Sequence, residues 1–199
     1  MIHEFINKQS KKTIILLHGT GGNEKDLLSI GQMIDNEANL LGIRGNVLEN
    51  GMNRYFRRLA EGIFDLEDLH ARTHELYEEI INLSKQYHFD LNETIGLGYS
   101  NGANILANLL FLYPNIIQKA ILFHPMVPDR NVDMSNLSKT NVFISSGIND
   151  PICPKEESDD LVQLFQNREA NVTLNWEITG HQLTYSEINK AKEWFLTFK

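Results

Sequence analysis

The stretch Thr94-Ile95-Gly96-Leu97-Gly98-Tyr99-Ser100-Asn101-Gly102-Ala103 decides how the rest of the chain is read. An apolar run enters a serine that has a glycine two residues away on either side. The residues after it, Asn101 to Leu112, read as an apolar helix stopped by Pro114. This is the G-x-S-x-G nucleophile elbow, a sharp strand-to-helix turn that lifts the serine hydroxyl clear of a sheet and leaves room only for small neighbours. A strand turning directly into a helix belongs to an α/β fold, so strands and helices should alternate on both sides of it.

Working outward, strand-like runs fall at Ile2 to Ile6, Thr13 to Leu17, Ile43 to Val47, Thr94 to Gly98, Lys119 to Phe123, Asn141 to Ser145 and Val172 to Ile178. Helical patterns lie between most of them: Asp26 to Leu41, Leu66 to Tyr87, Asn101 to Leu112, Glu156 to Gln166 and Tyr185 to Phe198. The alternation implies a mostly parallel central sheet of about seven strands covered by helices on both faces. The last strand alternates Val172, Leu174, Trp176 and Ile178 with polar residues, as an edge strand does. The last helix opens with a capping box, Thr184 with Glu187, and carries Ile188, Ala191, Phe195 and Phe198 along one face. No repeat, low-complexity linker or composition break interrupts the chain, and residues 1–199 read as one domain.

Composition narrows the function. At 199 residues and 42% hydrophobic content the chain can bury a real core, but two domains would be cramped. A net charge of -8, with only the short Arg54, Arg57, Arg58 cluster on the basic side, argues against nucleic-acid binding. The N-terminal Met1-Ile2-His3-Glu4-Phe5 lacks the order of a signal peptide, and the apolar run Ile105 to Leu112 is too short to span a bilayer. A cytoplasmic location without stable membrane association is the expectation. The single cysteine, Cys153, fits a reducing compartment and reads as a buried, inert thiol.

A serine hydroxyl is a weak nucleophile and needs a base within hydrogen-bond reach, itself oriented by a third group. In a doubly wound sheet the loops after the strands meet at one crevice, so the partners should follow strand ends. Asp150 does so in Gly147-Ile148-Asn149-Asp150-Pro151, and His181 does so in Thr179-Gly180-His181. Ser100, Asp150 and His181 are therefore the catalytic candidates. The rival acids Asp129 and Asp133 follow an earlier strand, and Asp159 and Asp160 sit in a helical run. His124 follows a strand end but precedes Asp150, and reads as a pocket wall or a buried hydrogen-bonder. His70 and His74, four apart beside Glu67 and Asp68, read as a solvated helix face rather than half a metal site.

Acyl transfer also needs donors aimed at the developing oxyanion. One should be the backbone N–H of Asn101, at the helix start. The other is assigned to Thr20 in Leu17-His18-Gly19-Thr20-Gly21-Gly22, a strand followed by a glycine-rich turn. That turn lacks both phosphate-binding glycine patterns, G-x-x-x-x-G-K-[ST] and G-x-G-x-x-G. The segment Glu49 to Leu59 should lie over the pocket. Met52, Tyr55 and Phe56 are then candidate walls, or the segment is a packed surface loop whose arginines pair with Glu49 and Asp65.

Together, His18-Gly19-Thr20-Gly21-Gly22, Gly98-Tyr99-Ser100-Asn101-Gly102, Asp150 and Gly180-His181 make the chain resemble the phospholipase/carboxylesterase branch of the α/β-hydrolases, over nearly its whole length. The stretches Arg44 to Leu59 and Gly62 to Asp65 more narrowly resemble bacterial carboxylesterases of the methylhydroquinone-resistance type. The resemblance implies an α/β-hydrolase fold without a cap domain, and a serine carboxylesterase acting on small to medium acyl esters with no metal or organic cofactor. A homodimer is compatible with it. Thioesterase members carry Gln after the nucleophile and Gly-Gly beyond, where this chain has Asn101 and Gly102-Ala103. A lysophospholipase or acyl thioesterase is the alternative within the hydrolases. A non-catalytic binding module on the same fold is the alternative from another class. Because the base has to be neutral, activity is expected to fall on acidification.

Overall fold

A computed structural model describes residues 1–133 and 135–198. The central sheet has seven strands: β1 (His3–Ile6), β2 (Thr13–Leu17), β3 (Asn39–Ile43), β4 (Thr94–Tyr99), β5 (Lys119–Phe123), β6 (Asn141–Gly147) and β7 (Asn171–Glu177). Their spatial order is β1-β3-β2-β4-β5-β6-β7. β1 runs antiparallel to β3 and every other pairing is parallel. Two short hairpins, Val47–Glu49 with Met52–Arg54 and Arg58–Ala60 with Ile63–Phe64, follow β3.

The strands read as unbroken apolar runs because both faces are covered. Along β2, Ile14 and Leu16 belong to the core beneath α1 (Leu28–Ile34) and α5 (Tyr185–Leu196). Ile15 and Leu17 belong to the opposite core beneath α2 (Leu66–Tyr87), α3 (Asn101–Leu112) and α4 (Lys155–Gln166). α3 is buried from Asn101 to Phe111, which explains why its sequence shows no polar face. β7 is an edge strand, with Val172, Leu174 and Trp176 half-buried.

The expected helix Asp26 to Leu41 and strand Ile43 to Val47 need correction. The helix is confined to Leu28–Ile34, and the strand begins four residues early, at Asn39. β3 is buried at all five positions, so no alternation marks it as a strand, and its leucines continue the apolar spacing of the helix before it. Gly42 within it has no room for a side chain: a Cβ there would lie 1.8 Å from the carbonyl oxygen of Glu24. No helix among the described residues is long and apolar enough to cross a membrane.

Candidate active site

β4 ends in the elbow. Ser100 has φ 51° and ψ −115°, a left-handed conformation that costs a side-chain-bearing residue about 1–3 kcal/mol and persists only when its surroundings enforce it. Here the enforcement is backbone against backbone. The Ser100 N–H donates to Phe123 O at 2.9 Å, and a Cβ on Gly102 would come within 2.1 Å of Leu17 O. A Cβ on Gly98 would come within 2.6 Å of Gly102 O. Both glycines of the motif are required by close approach.

Above the elbow three loops converge. Ser100 Oγ lies 2.9 Å from His181 Nε2, and His181 Nδ1 donates to Asp150 Oδ2 at 2.7 Å. Asp150 Oδ1 accepts the backbone N–H groups of Ile152 (2.8 Å) and Cys153 (3.0 Å). Burial alone would raise the Asp150 carboxyl, but these amides and the two histidines facing it outweigh burial and hold it below the ordinary carboxylate value. Ser100, His181 and Asp150 thus form one unbroken hydrogen-bonded chain at a strained turn.

Tyr99, between the two glycines, donates its hydroxyl to His181 O at 2.8 Å and lays its ring 5.5 Å from the imidazole. Burial, then the charges of Asp150 and Glu187, push its phenol up to about 12, so it stays a neutral donor. Tyr99 is not among the residues the sequence singles out. Its position inside the elbow motif was the available signal.

The loop after β2 lies beside Ser100. His18 is buried, its Nδ1 donates to Gly19 O at 2.6 Å, and its Nε2 accepts the Gly45 N–H at 3.1 Å. Burial lowers its pKa and keeps it in this neutral form. The first hairpin grips the same loop: Asn53 O accepts from Gly21 N (2.8 Å), Asn53 Nδ2 donates to Gly22 O (2.8 Å), and Arg54 Nη1 donates to Thr20 Oγ1 (2.7 Å). The Tyr55 N–H donates to Asn101 Oδ1 at 2.7 Å, tying the hairpin to the helix start as well. Thr20, Ser100 and Asn101 share one small cavity of about 60 Å³, with Arg54, Phe64 and Met126 among its other walls.

Tyr55 and Phe56, expected as pocket walls, are core residues instead, 1% and 0% exposed. The Tyr55 hydroxyl accepts from His18 N at 3.0 Å and donates to Ile43 O, so its polar end is consumed inside the fold. Met52 is exposed and lies over Gly21, outside the cavity lining. The packed-loop reading fits better: Arg58 pairs with Glu49 at 2.8 Å and Arg57 with Asp65 at 3.0 Å. From this part of the chain it is Arg54, Arg58, Glu61, Gly62 and Phe64 that line the cavity, and no local sequence pattern marks them.

His70 and His74 do not meet at a shared site. His70 Nε2 bonds Asp129 Oδ2 (2.9 Å) and His74 Nδ1 bonds the Tyr113 hydroxyl (2.7 Å). His124, Asp150 and His181 stand close enough to grip a cation, but Nδ1 of each ring already points at Asp150 Oδ2, so hydrogen bonds account for the cluster. Cys153 is buried, its thiol raised by burial and by the nearby carboxylates Asp150 and Glu157, and it is not primed as a thiolate.

A family profile described as Phospholipase/Carboxylesterase matches residues 4–198. The chain belongs to the phospholipase/carboxylesterase family. It is 48% identical over 195 residues to a Bacillus subtilis (strain 168) protein named "Putative hydrolase MhqD", covering 98% of both chains. Its fold matches the crystal structure of the Bacillus cereus carboxylesterase with a TM-score of 0.96 and 54% identity, over 98% of this chain and 93% of that one. A carboxylesterase from Mesorhizobium loti matches with a TM-score of 0.93 and 26% identity, over 98% and 93% of the two chains. The seven-stranded α/β fold is thus the one these phospholipase/carboxylesterase relatives share.

Proposed function

We propose that the chain is a serine carboxylesterase that hydrolyses small to medium acyl esters. The observation that carries this is the chain Ser100 Oγ, His181 Nε2, His181 Nδ1, Asp150 Oδ2, with links of 2.9 and 2.7 Å, at the start of α3. His181 takes the serine proton as Ser100 attacks the ester carbonyl, and Asp150 holds the ring in the tautomer that leaves Nε2 free. The N–H groups of Thr20 and Asn101 receive the tetrahedral oxyanion, which the helix dipole also favours. Collapse expels the alcohol, protonated by His181, and leaves an acyl-enzyme. Water then attacks by the same route in reverse and releases the acid.

The small cavity beside Ser100 suits a short acyl chain. A wider groove of about 430 Å³ on the other side of Thr20, lined in part by Leu27, Ile30, Tyr99 and Leu183, suits the leaving alcohol. The test is a series of p-nitrophenyl esters graded by acyl length, run on the wild type and on Ser100→Ala, with a fluorophosphonate probe as a label. The expected result is a preference for short chains, labelling of the wild type alone, and a fall of several orders of magnitude in kcat for the variant with its Tm retained. Undiminished hydrolysis by Ser100→Ala would remove the nucleophile from this scheme. An intact wild type that the probe leaves unlabelled would favour the binding-module alternative.

A further inference from the structure

Behind Asp150 lies a wholly buried histidine that the reaction scheme leaves unused. His124 and the Asp150 and Glu187 side chains are each 0% exposed. His124 Nδ1 is 3.0 Å from Asp150 Oδ2, and its Nε2 faces the Glu187 carboxylate, 3.2 Å from Oε2 and hydrogen-bonded to Oε1 at 3.4 Å. We propose that His124 is a positioning residue: a buried imidazolium, clamped by Glu187, that holds Asp150 from the side away from Ser100 and sets the acid limit of catalysis. This rests on reading Ser100, His181 and Asp150 as the triad.

The hydrogen-bond partners around the ring fix where each proton sits. Glu177 Oε1 accepts from Asn175 Nδ2 (3.0 Å), Ser186 Oγ (3.2 Å) and Lys190 Nζ (2.8 Å), which fixes the Asn175 amide with its NH₂ on that side. The same NH₂ donates to Ser145 Oγ at 3.0 Å, so the serine's own proton goes to Glu187 Oε2, 2.8 Å away. Glu187 Oε1 accepts the Thr184 N–H at 2.6 Å. Glu187 is therefore an acceptor at both oxygens, as an ionised carboxylate is, and His124 Nε2 must supply a proton to it. Asp150 accepts two backbone N–H groups and the His181 proton, so it too is an acceptor throughout, and His124 Nδ1 must supply a second proton. An imidazole with both nitrogens protonated is a cation.

The other groups around the ring agree with this. Tyr99 stands edge-on at 6.0 Å from the β4 side, and His181 lies 5.3 Å away on the loop after β7. Cys153 Sγ donates to the His124 carbonyl at 3.3 Å. No Lys or Arg side chain is paired with Asp150 or Glu187 among the described residues. Burial on its own lowers the His124 pKa, and Glu187 and then Asp150 reverse that, leaving it raised. His124 also has φ 50°, so a side-chain-bearing residue in the left-handed region follows β5 just as Ser100 follows β4. Such strain persists where the surroundings over-determine it, and at functional sites it is common.

The consequence for catalysis is electrostatic. An unbalanced Asp150 carboxylate pulls strongly on the positive charge that forms on the neighbouring imidazole during catalysis. With the His124 cation sharing the same oxygen, that pull is reduced and Asp150 is held in one rotamer. Removing the cation should then move the acid limb of kcat/KM to higher pH.

Two measurements on the full chain test this. In ¹⁵N-labelled wild type at about pH 8, where an ordinary histidine is neutral, one histidine should show both ring nitrogens protonated. His124→Gln should abolish that signal, and Glu187→Gln should let the ring lose its second proton at a lower pH than in the wild type. Kinetically, His124→Gln should lower kcat about tenfold or more with little change in KM, and move the acid limb upward by about half a unit or more. A wild type whose histidines are all singly protonated at that pH overturns the proposal. So does a folded His124→Gln that has lost activity with its acid limb unmoved, since simple packing would give that result. If His124→Gln does not fold, the wild-type and Glu187→Gln spectra decide alone. Failure of the triad reading itself is distinguishable, because Ser100→Ala would then remain active.

Discussion

The elbow and the Val47–Phe64 segment stand on either side of one cavity and are built in opposite ways. At the elbow, β4, α3 and the loop after β2 approach until backbone meets backbone, and Gly98 and Gly102 are the only residue type that fits. Apart from the Gly21 N–Asn53 O bond and the close approach of Gly45 to Arg54 O, the hairpin segment is attached through side chains, Arg54 to Thr20, Asn53 to Gly22 and Asn101 to the Tyr55 N–H, and it is braced by the pairs Arg58–Glu49 and Arg57–Asp65. Its glycines turn the chain without crowding it. Gly51 has φ +80° and nothing within 4 Å of where its Cβ would be. Chemistry that tolerates little displacement is held by the first kind of contact. The second kind frames the cavity and can vary.

The largest expected effect breaks the first region. Gly102→Ala places a methyl 2.1 Å from Leu17 O and 2.5 Å from His18 O, neither of which is free to move. It should cost about 3 kcal/mol or more and displace the loop that carries Thr20, abolishing the proposed ester hydrolysis. Gly51→Ala, strained only through its φ, should cost about 1 kcal/mol and leave kcat in place. Urea melts of the pair measure both. Equal costs would mean that crowding is not what separates the two regions.

Tyr55→Phe comes next, at the joint between the regions. It removes the hydroxyl that serves His18 N and Ile43 O and leaves both backbone groups buried without a partner, a cost of about 1–3 kcal/mol. A Tm equal to the wild type would show that water or a shifted backbone can serve them instead.

The same contrast explains what the sequence revealed. The elbow motif, the placement of Asp150 and His181 after strand ends, and the Thr184–Glu187 capping box are local patterns, and each stands in the structure where it was read. What escaped depends on distant pairing. β3 is a strand because β1 and β2 flank it, and nothing in Asn39–Ile43 itself displays that. Tyr55 and Phe56 look like pocket aromatics in a loop rich in Arg and Gly, but both belong to the main core cluster, and the Tyr55 hydroxyl is consumed by His18 N and by Ile43 O of the misread strand β3. In the sequence His124 reads as a pocket wall or a buried hydrogen-bonder, because its two carboxylate partners come from residues 150 and 187.

A smaller effect is a matter of pH. The His124 pKa is raised in the folded chain, so its contribution to stability is fully present below the ordinary imidazole value of about 6.5 and fades as pH rises through the folded value. The Tm gap between wild type and His124→Gln should therefore be widest on the acid side of neutrality and narrow towards alkaline pH. Thermal melts across that range give the sign directly. A gap that widened with rising pH would mean that the buried ring is neutral in the folded state.

The smallest effect is expected in the first strand of the second hairpin, Arg58–Ala60. Leu59 is 73% exposed and absent from the cavity wall, although its neighbour Arg58 lines it. Leu59→Ser removes an apolar side chain that touches little, so stability should change by less than about 0.5 kcal/mol. With short acyl esters kcat and KM should both stay at wild-type values, because the groups nearest the reaction sit on the other region. The informative comparison is with longer acyl esters. A KM that rises with chain length in the variant alone, at unchanged kcat, would mean that the hairpin folds down over the bound substrate and that the segment frames the cavity more closely than its polar attachments imply.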